Sequence, residues 1–212
     1  MSESHRPRQL EYGDIPISVS DKVRHPNVMG TDTRELLDEL REDHRNMALV
    51  LNVLDSTIET VAGGADPDFE LVDEIMRYMT VYPDAVHHPK EDIVYAELLD
   101  ARPDLSEELD DVPDDHRQIA ALGGKLRDDV EAIIAGAAVR RVQFIEDAHD
   151  YVRRLRDHMQ WEEAVLFSRV DKMIGDDSRA VDVEEFLHIK DPVFELEVEA
   201  GFRRLIASLK NN

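Results

Sequence analysis

The chain has 212 residues, of which 42% are apolar, and its 25 basic and 48 acidic side chains give a formal net charge of −23. That much apolar material can bury a domain-sized core, while the charge repels phosphates and anionic lipid and so argues against nucleic-acid or membrane partners. Cysteine is absent, which excludes disulfides, thiolate catalysis and thiolate metal ligation; any metal must be held by nitrogen and oxygen.

Residues 1–30 are polar, contain several prolines and show no period, so they read as an irregular arm. A first helix is expected from Thr31 or Asp32, either of which can cap it. Its apolar residues step by three and four: Leu37, Leu40, then His44, then Met47, Leu51, Leu54, Ile58 and Val61. Gly63-Gly64 should stop it. Asp66-Pro67 offers an N-cap and a first-turn proline for a second helix. That helix should run towards Leu99 with kinks at Pro83 and Pro89, and end at Arg102-Pro103.

A third helix is centred on 114–134, with the stripe Val112, His116, Ile119, Gly123, Leu126, Val130 and Ile133. Gly123 and Gly124 should each weaken it by about 1 kcal/mol relative to alanine. The fourth covers about 139–174, with the stripe Ile145, Ala148, Val152, Leu155, Met159, Glu162, Leu166, Val170 and Met173. Four long helices on short loops predict an all-α antiparallel four-helix bundle without a β-sheet. In the tail, Asp182 can cap a start, Asp191-Pro192 makes a break, and a last amphipathic helix is expected at about 193–209, packed across the bundle or forming an oligomer interface. The expected division is a 1–30 arm, a 31–175 bundle and a 176–212 extension. The opening MSESHRPRQLEYGDIP has no apolar signal-like run and the chain has no stretch of about 18 apolar residues, so it reads as soluble and cytoplasmic.

Three polar residues occupy places in apolar stripes that leucine would normally fill: His44, His116 and Glu162. A buried, unpaired carboxylate costs several kcal/mol, so Glu162 needs a partner. His158, four residues earlier, lies on the same face about 40° away, and imidazole and carboxylate at that spacing can reach one ion. In "HHPKED" the same test, at about 100° per residue, turns His87 and Glu91 inward and His88 and Asp92 outward. It also prefers Glu162 to Glu163. The pattern repeats: "EDHRNM" around His44 echoes "DDHRQI" around His116, and each lone histidine precedes a His-x-x-x-Glu pair at nearly the same interval. Two such hairpins face to face would bring His44, His87, Glu91, His116, His158 and Glu162 to one level, a donor set for two metal ions. Imidazole nitrogen with bridging carboxylate suits iron or manganese, with zinc as an alternative. Asp43, Asp115, His88 and Asp92 are candidates to orient the histidines. His149 falls off the stripe and reads as structural; His5, His25 and His188 lie outside the bundle. Met47, Met76, Met79 and Met159 read as core filler, and Trp161 and Phe167 as packing.

Through "EDHRNM", "HHPKEDIVY", "DDHRQI" and "HMQWEEAVLF", in that order and spacing, the chain resembles the hemerythrin-like, or HHE cation-binding, family over about 32–174. The resemblance implies an up-down bundle around a non-heme di-iron centre. In it His44, His87, His116 and His158 would be terminal ligands, and Glu91 and Glu162 would bridge the irons beside an oxo or hydroxo group. Oxygen-carrying members use a fifth histidine where this chain has Ala120, so the site looks like the four-histidine, two-carboxylate variant. That variant is similar to proteins that repair iron centres, which carry a cysteine-bearing N-terminal segment, whereas this chain has no cysteine. The expected function is binding of, or reaction with, a small molecule such as oxygen, nitric oxide or peroxide, with Ala120 widening the space at the metals. The alternative is a non-enzymatic sensor or store of iron or oxygen.

Overall fold

The structure, a computed structural model, describes residues 31–109, 111–174, 180–181, 191–194 and 200–211. The first helix begins at Thr33, directly after Thr31 and Asp32. As strand β1 they pair antiparallel with Val181 and Ala180 of β2 (Ala180–Val181), a two-residue ladder that joins the tail to the start of the bundle. It is a small exception to the expected absence of strands.

Helix α1 (Thr33–Ala62) buries every member of its predicted stripe, from Leu37 to Val61. Gly64 ends it at φ +91°, a left-handed turn that favours glycine. Helix α2 (Phe69–Tyr82) starts later than predicted, because Asp68 rather than Asp66 caps it by accepting the Leu71 N–H at 3.2 Å. Pro83 does not break the rod. Residues Pro83–His87 widen into a π-type turn, closed by the His88 N–H bonding to the Pro83 carbonyl five residues back, and α3 (His88–Ala101) continues beyond it. A 3₁₀ turn (Pro103–Leu105) and short α4 (Ser106–Leu109) lead into α5 (Val112–Ile134).

Helix α6 (Arg141–Trp161) passes into a second π-type segment, Glu162–Phe167, and ends in α7 (Ser168–Ile174). The α1, α2–α3, α5 and α6–α7 rods close a ring: α1 touches α2, α2 touches α5, α5 touches α6 and α6 touches α1. The fold is therefore the expected all-α up-down four-helix bundle. Gly123 sits where α5 crosses its neighbours; a β-carbon there would lie 3.1 Å from Tyr151 and 3.2 Å from Thr80.

The predicted last helix is shorter than 193–209. Residues 192–194 form a turn, and only a 3₁₀ turn (Ala200–Phe202) and α8 (Arg203–Leu209) are helical among the described residues. Asp182 and the 1–30 arm lie outside the described residues. Val193, Phe202 and Leu205 bury against the bundle, and α8 packs on α1 and α2. Asp191 fixes this docking, accepting the Tyr78 hydroxyl at 2.9 Å and the N–H groups of Val193 and Phe194.

The apolar interior is in two pieces. One cluster contains Met47, Val86, Ile119, Leu155 and Met159; the other contains Leu40, Val94, Val112, Leu166 and Phe167. On every rod the break between the two falls where the stripe turns polar. The polar layer is thus a slab inside the bundle, and no helix among the described residues is long and apolar enough to cross a membrane.

Candidate metal centre

The slab contains all six predicted side chains. His44 comes from α1, His87 from the end of the first π-type turn, Glu91 from α3, His116 from α5, His158 from α6 and Glu162 from the start of the second π-type segment. A π-type turn inserts a residue and rephases the helix beyond it. Here both rephased points carry a member of a His-x-x-x-Glu pair.

Each carboxylate faces both halves of the cluster. Glu91 Oε1 lies 3.1 Å from His87 Nε2 and 3.7 Å from His44 Nε2, while its Oε2 lies 3.6 Å from His116 Nε2. Glu162 Oε1 lies 3.2 Å from His158 Nε2 and 3.7 Å from His116 Nε2, while its Oε2 lies 3.4 Å from His44 Nε2. Both glutamates are 0% exposed. The Nε2 atoms of His116 and His158 are 3.0 Å apart, a separation at which two imidazoles need a shared proton or cation.

Burial of these groups is otherwise unbalanced. His44 Nε2, both oxygens of Glu91 and Oε2 of Glu162 have no hydrogen-bond partner. Buried polar atoms are rarely left so, and several orphans aimed at one point fit a cation. The residues present therefore fit a metal site. In the protein alone, protons do part of this work. Burial opposes charge on His44, but Glu162, Glu163 and Glu91 outweigh it and raise the imidazole to about 11. Burial likewise opposes charge on His87, and Glu91 with Asp43 raises it to about 9. Burial and Glu162 push Glu91 upward, yet His87 and His44 prevail and lower it to about 2. Glu162 is also held low, its burial overcome by His116, His158 and His44.

The surrounding residues were only partly foreseen. Asp43 behaves as expected: its Oδ2 accepts from His87 Nδ1 at 3.2 Å, while its Oδ1 accepts the Tyr82 hydroxyl at 2.9 Å. Buried Lys90 adds a contact to Asp43 at 3.7 Å. Asp115 does not reach a histidine, because Arg154 takes its carboxylate at 2.7 Å. Asp92 is exposed. Glu163, rotated away by the helical count, reaches back to accept from His44 Nδ1 at 3.2 Å. Tyr95 donates its hydroxyl to Glu162 Oε1 at 2.7 Å. Tyr82, Tyr95 and Lys90 gave no signal beyond a stripe position, since a tyrosine or lysine on a buried face is normally packing.

Phe167 stacks on His44 with ring centroids 5.2 Å apart, and Trp161 packs on the second apolar cluster. Met47, Met76, Met79 and Met159 are core residues. His149 is exposed beside Glu59 and takes no part in the slab; His5, His25 and His188 lie outside the described residues. Ala120 departs from expectation: it is exposed. His116 already sits at the bundle edge, 14% exposed against 4% or less for the other five, so the residue one turn on falls in solvent.

The profile of the hemerythrin HHE cation binding domain matches residues 35–188. No curated protein and no solved structure matches the chain.

Proposed function

The chain belongs to the hemerythrin HHE cation-binding family, and from that membership we propose that its core holds two oxo- or hydroxo-bridged iron ions and binds or reacts with a small molecule such as oxygen, nitric oxide or peroxide. The ligands in this reading are His44, His87, Glu91, His116, His158 and Glu162. One observation carries it: each buried glutamate offers one oxygen to the His44–His87 side and the other to the His116–His158 side. Two carboxylates so placed suit two cations better than one. Nitrogen and carboxylate donors without thiolate favour iron, and manganese or zinc would fit the same set.

Bound iron would supply the redox and ligand-binding chemistry. The chain's own residues do the rest. Asp43 and Glu163 accept hydrogen bonds from the Nδ1–H groups of His87 and His44, which leaves each Nε2 lone pair for a metal. Tyr95 donates its hydroxyl to Glu162 Oε1 and tempers that oxygen's electron donation. Phe167 and the two apolar clusters exclude water. The His116 edge is the route for a small molecule, being the least covered part of the set. Residues 31–175 would form the working unit, with 1–30 and 176–212 as additions.

Full-length protein, loaded anaerobically with iron and then oxidised, should carry two irons per chain and show near-ultraviolet and visible bands that change on adding nitric oxide or peroxide. His87→Ala and Glu162→Ala should lose iron; full iron content in both would rule the site out.

A sensing role has one observation in its favour. Asp191 in the tail binds Tyr78, Tyr78 stacks on Tyr82 at 5.5 Å, and Tyr82 binds Asp43 beside His87. Protease sensitivity of the tail that depends on iron would support that reading, and steady peroxide turnover would support an enzyme.

A further inference from the structure

A seventh side chain lies against the slab. His88 is 13% exposed, and its ring stacks on His116 with centroids 3.9 Å apart and planes 15° from parallel. Nitrogen of His88, oxygen of Glu91 and nitrogen of His116 lie within 4.8 Å of one another. Its Nδ1 is 3.2 Å from Asp84 Oδ1, one turn earlier on the π-type turn.

The two halves of the centre are not built alike. On one side the second nitrogens of His44 and His87 are both held by carboxylates. On the other, His158 Nδ1 is buried without a partner and His116 reaches solvent. Ligand histidines normally have a partner for the second nitrogen, so the His116–His158 position is the looser one. The His88 imidazole lies directly over the ring of His116, one of the two histidines of that position. In the stack His88 presents its face, and its lone pairs run beside those of His116 rather than converging with them. Turning about its side-chain bonds and releasing Asp84 would aim a nitrogen at the same point.

We propose that His88 is a reserve ligand of the outer metal position, moving between a released state, stacked on His116 and tied to Asp84, and a bound state that fills the coordination place an incoming small molecule needs. This rests on the metal reading above. A molecule that binds only the released state binds more weakly in proportion to the population of the bound state. Removing His88 therefore strengthens such binding, and removing Asp84, which holds the released state, weakens it.

The test uses full-length protein with two irons per chain, oxidised and titrated with azide, the affinity being read from the azide-to-iron absorption band. His88→Ala should bind azide about fivefold or more tightly than the wild type. His88→Phe, which keeps a stacked ring without a nitrogen, should do the same. Asp84→Ala should bind more weakly, and this effect should vanish in the His88→Ala background. Unchanged affinity in both His88 variants at full iron content overturns the proposal and leaves the metal site standing, as does an Asp84→Ala effect that persists without His88. If His88→Phe matches the wild type while His88→Ala does not, the ring acts by stacking and the reserve-ligand role falls. A wild-type chain that takes up no iron brings down the metal reading and this proposal together.

Discussion

Asp43 Oδ2 lies 3.2 Å from His87 Nδ1, and because an ionised carboxylate only accepts, the imidazole must carry its proton on that nitrogen. Asp43 is held low despite its burial, through His87, Lys90 and Tyr82, so it stays ionised. Asp43→Asn keeps the shape and can present an N–H to His87, which favours the wrong tautomer. Metal affinity should fall by about 10–100-fold, measured by competition with a chelator of known strength. Asp115→Asn is the control, since Asp115 pairs with Arg154; an equal loss there would remove Asp43's special role.

Protons and metal compete for the slab. The metal-free protein holds His44 at about 11 and His87 at about 9, both above the ordinary 6.5. Their stabilisation is complete below pH 6.5 and drains away as pH rises through 9 and then 11. Glu91, lowered from 4.5 to about 2, stabilises above 4.5 and loses that contribution as pH falls through 2. Metal-free protein should therefore be most stable between these limits and should weaken on the alkaline side. Metal must displace the imidazole protons, so loading at pH 7 should release protons from His44 and His87, and apparent affinity should climb with pH. Titration in weak buffer with a pH indicator measures the release. Metal uptake with no proton release would contradict protonated imidazoles in the metal-free site.

Two adjacent glycines should respond oppositely to alanine. A β-carbon on Gly124 meets nothing within 4 Å, so Gly124→Ala should stabilise by about 1 kcal/mol through helix propensity. At Gly123 it would press on Tyr151 and Thr80, and overpacking of about 1–3 kcal/mol offsets the same gain. Gly123→Ala should cost about 1 kcal/mol net. Urea unfolding of the two variants decides it; equal gains would mean that α5 can move away from Tyr151.

Asp191 ties the tail to the bundle through one hydroxyl and two backbone N–H groups. Asp191→Ala leaves buried donors unsatisfied and should cost about 1–3 kcal/mol. The loss should be local, exposing residues 200–209 to limited proteolysis while the bundle stays resistant. A variant whose bundle and tail become sensitive together would show that the extension is part of one cooperative unit.

The sequence by itself determined the bundle and the six convergent side chains. A helical stripe is a one-dimensional signal, and a histidine or glutamate in a leucine place is visible without coordinates. The repeat of lone histidine and His-x-x-x-Glu then sets their common level. Helix caps and the tail were less legible: Asp68 displaced Asp66 as the cap of α2, and α8 is shorter than its apolar pattern, with Glu74 of α2 accepting the N–H groups of Arg204 and Leu205 at its start. Only the tertiary structure decided what surrounds the centre. Glu163 reaches His44, Arg154 captures Asp115, Tyr95 meets Glu162 and Ala120 faces solvent because contacts between rods depend on how the rods are rotated and spaced. The π-type turns at Pro83–His87 and Glu162–Phe167 change that rotation, and no fixed angle per residue anticipates them.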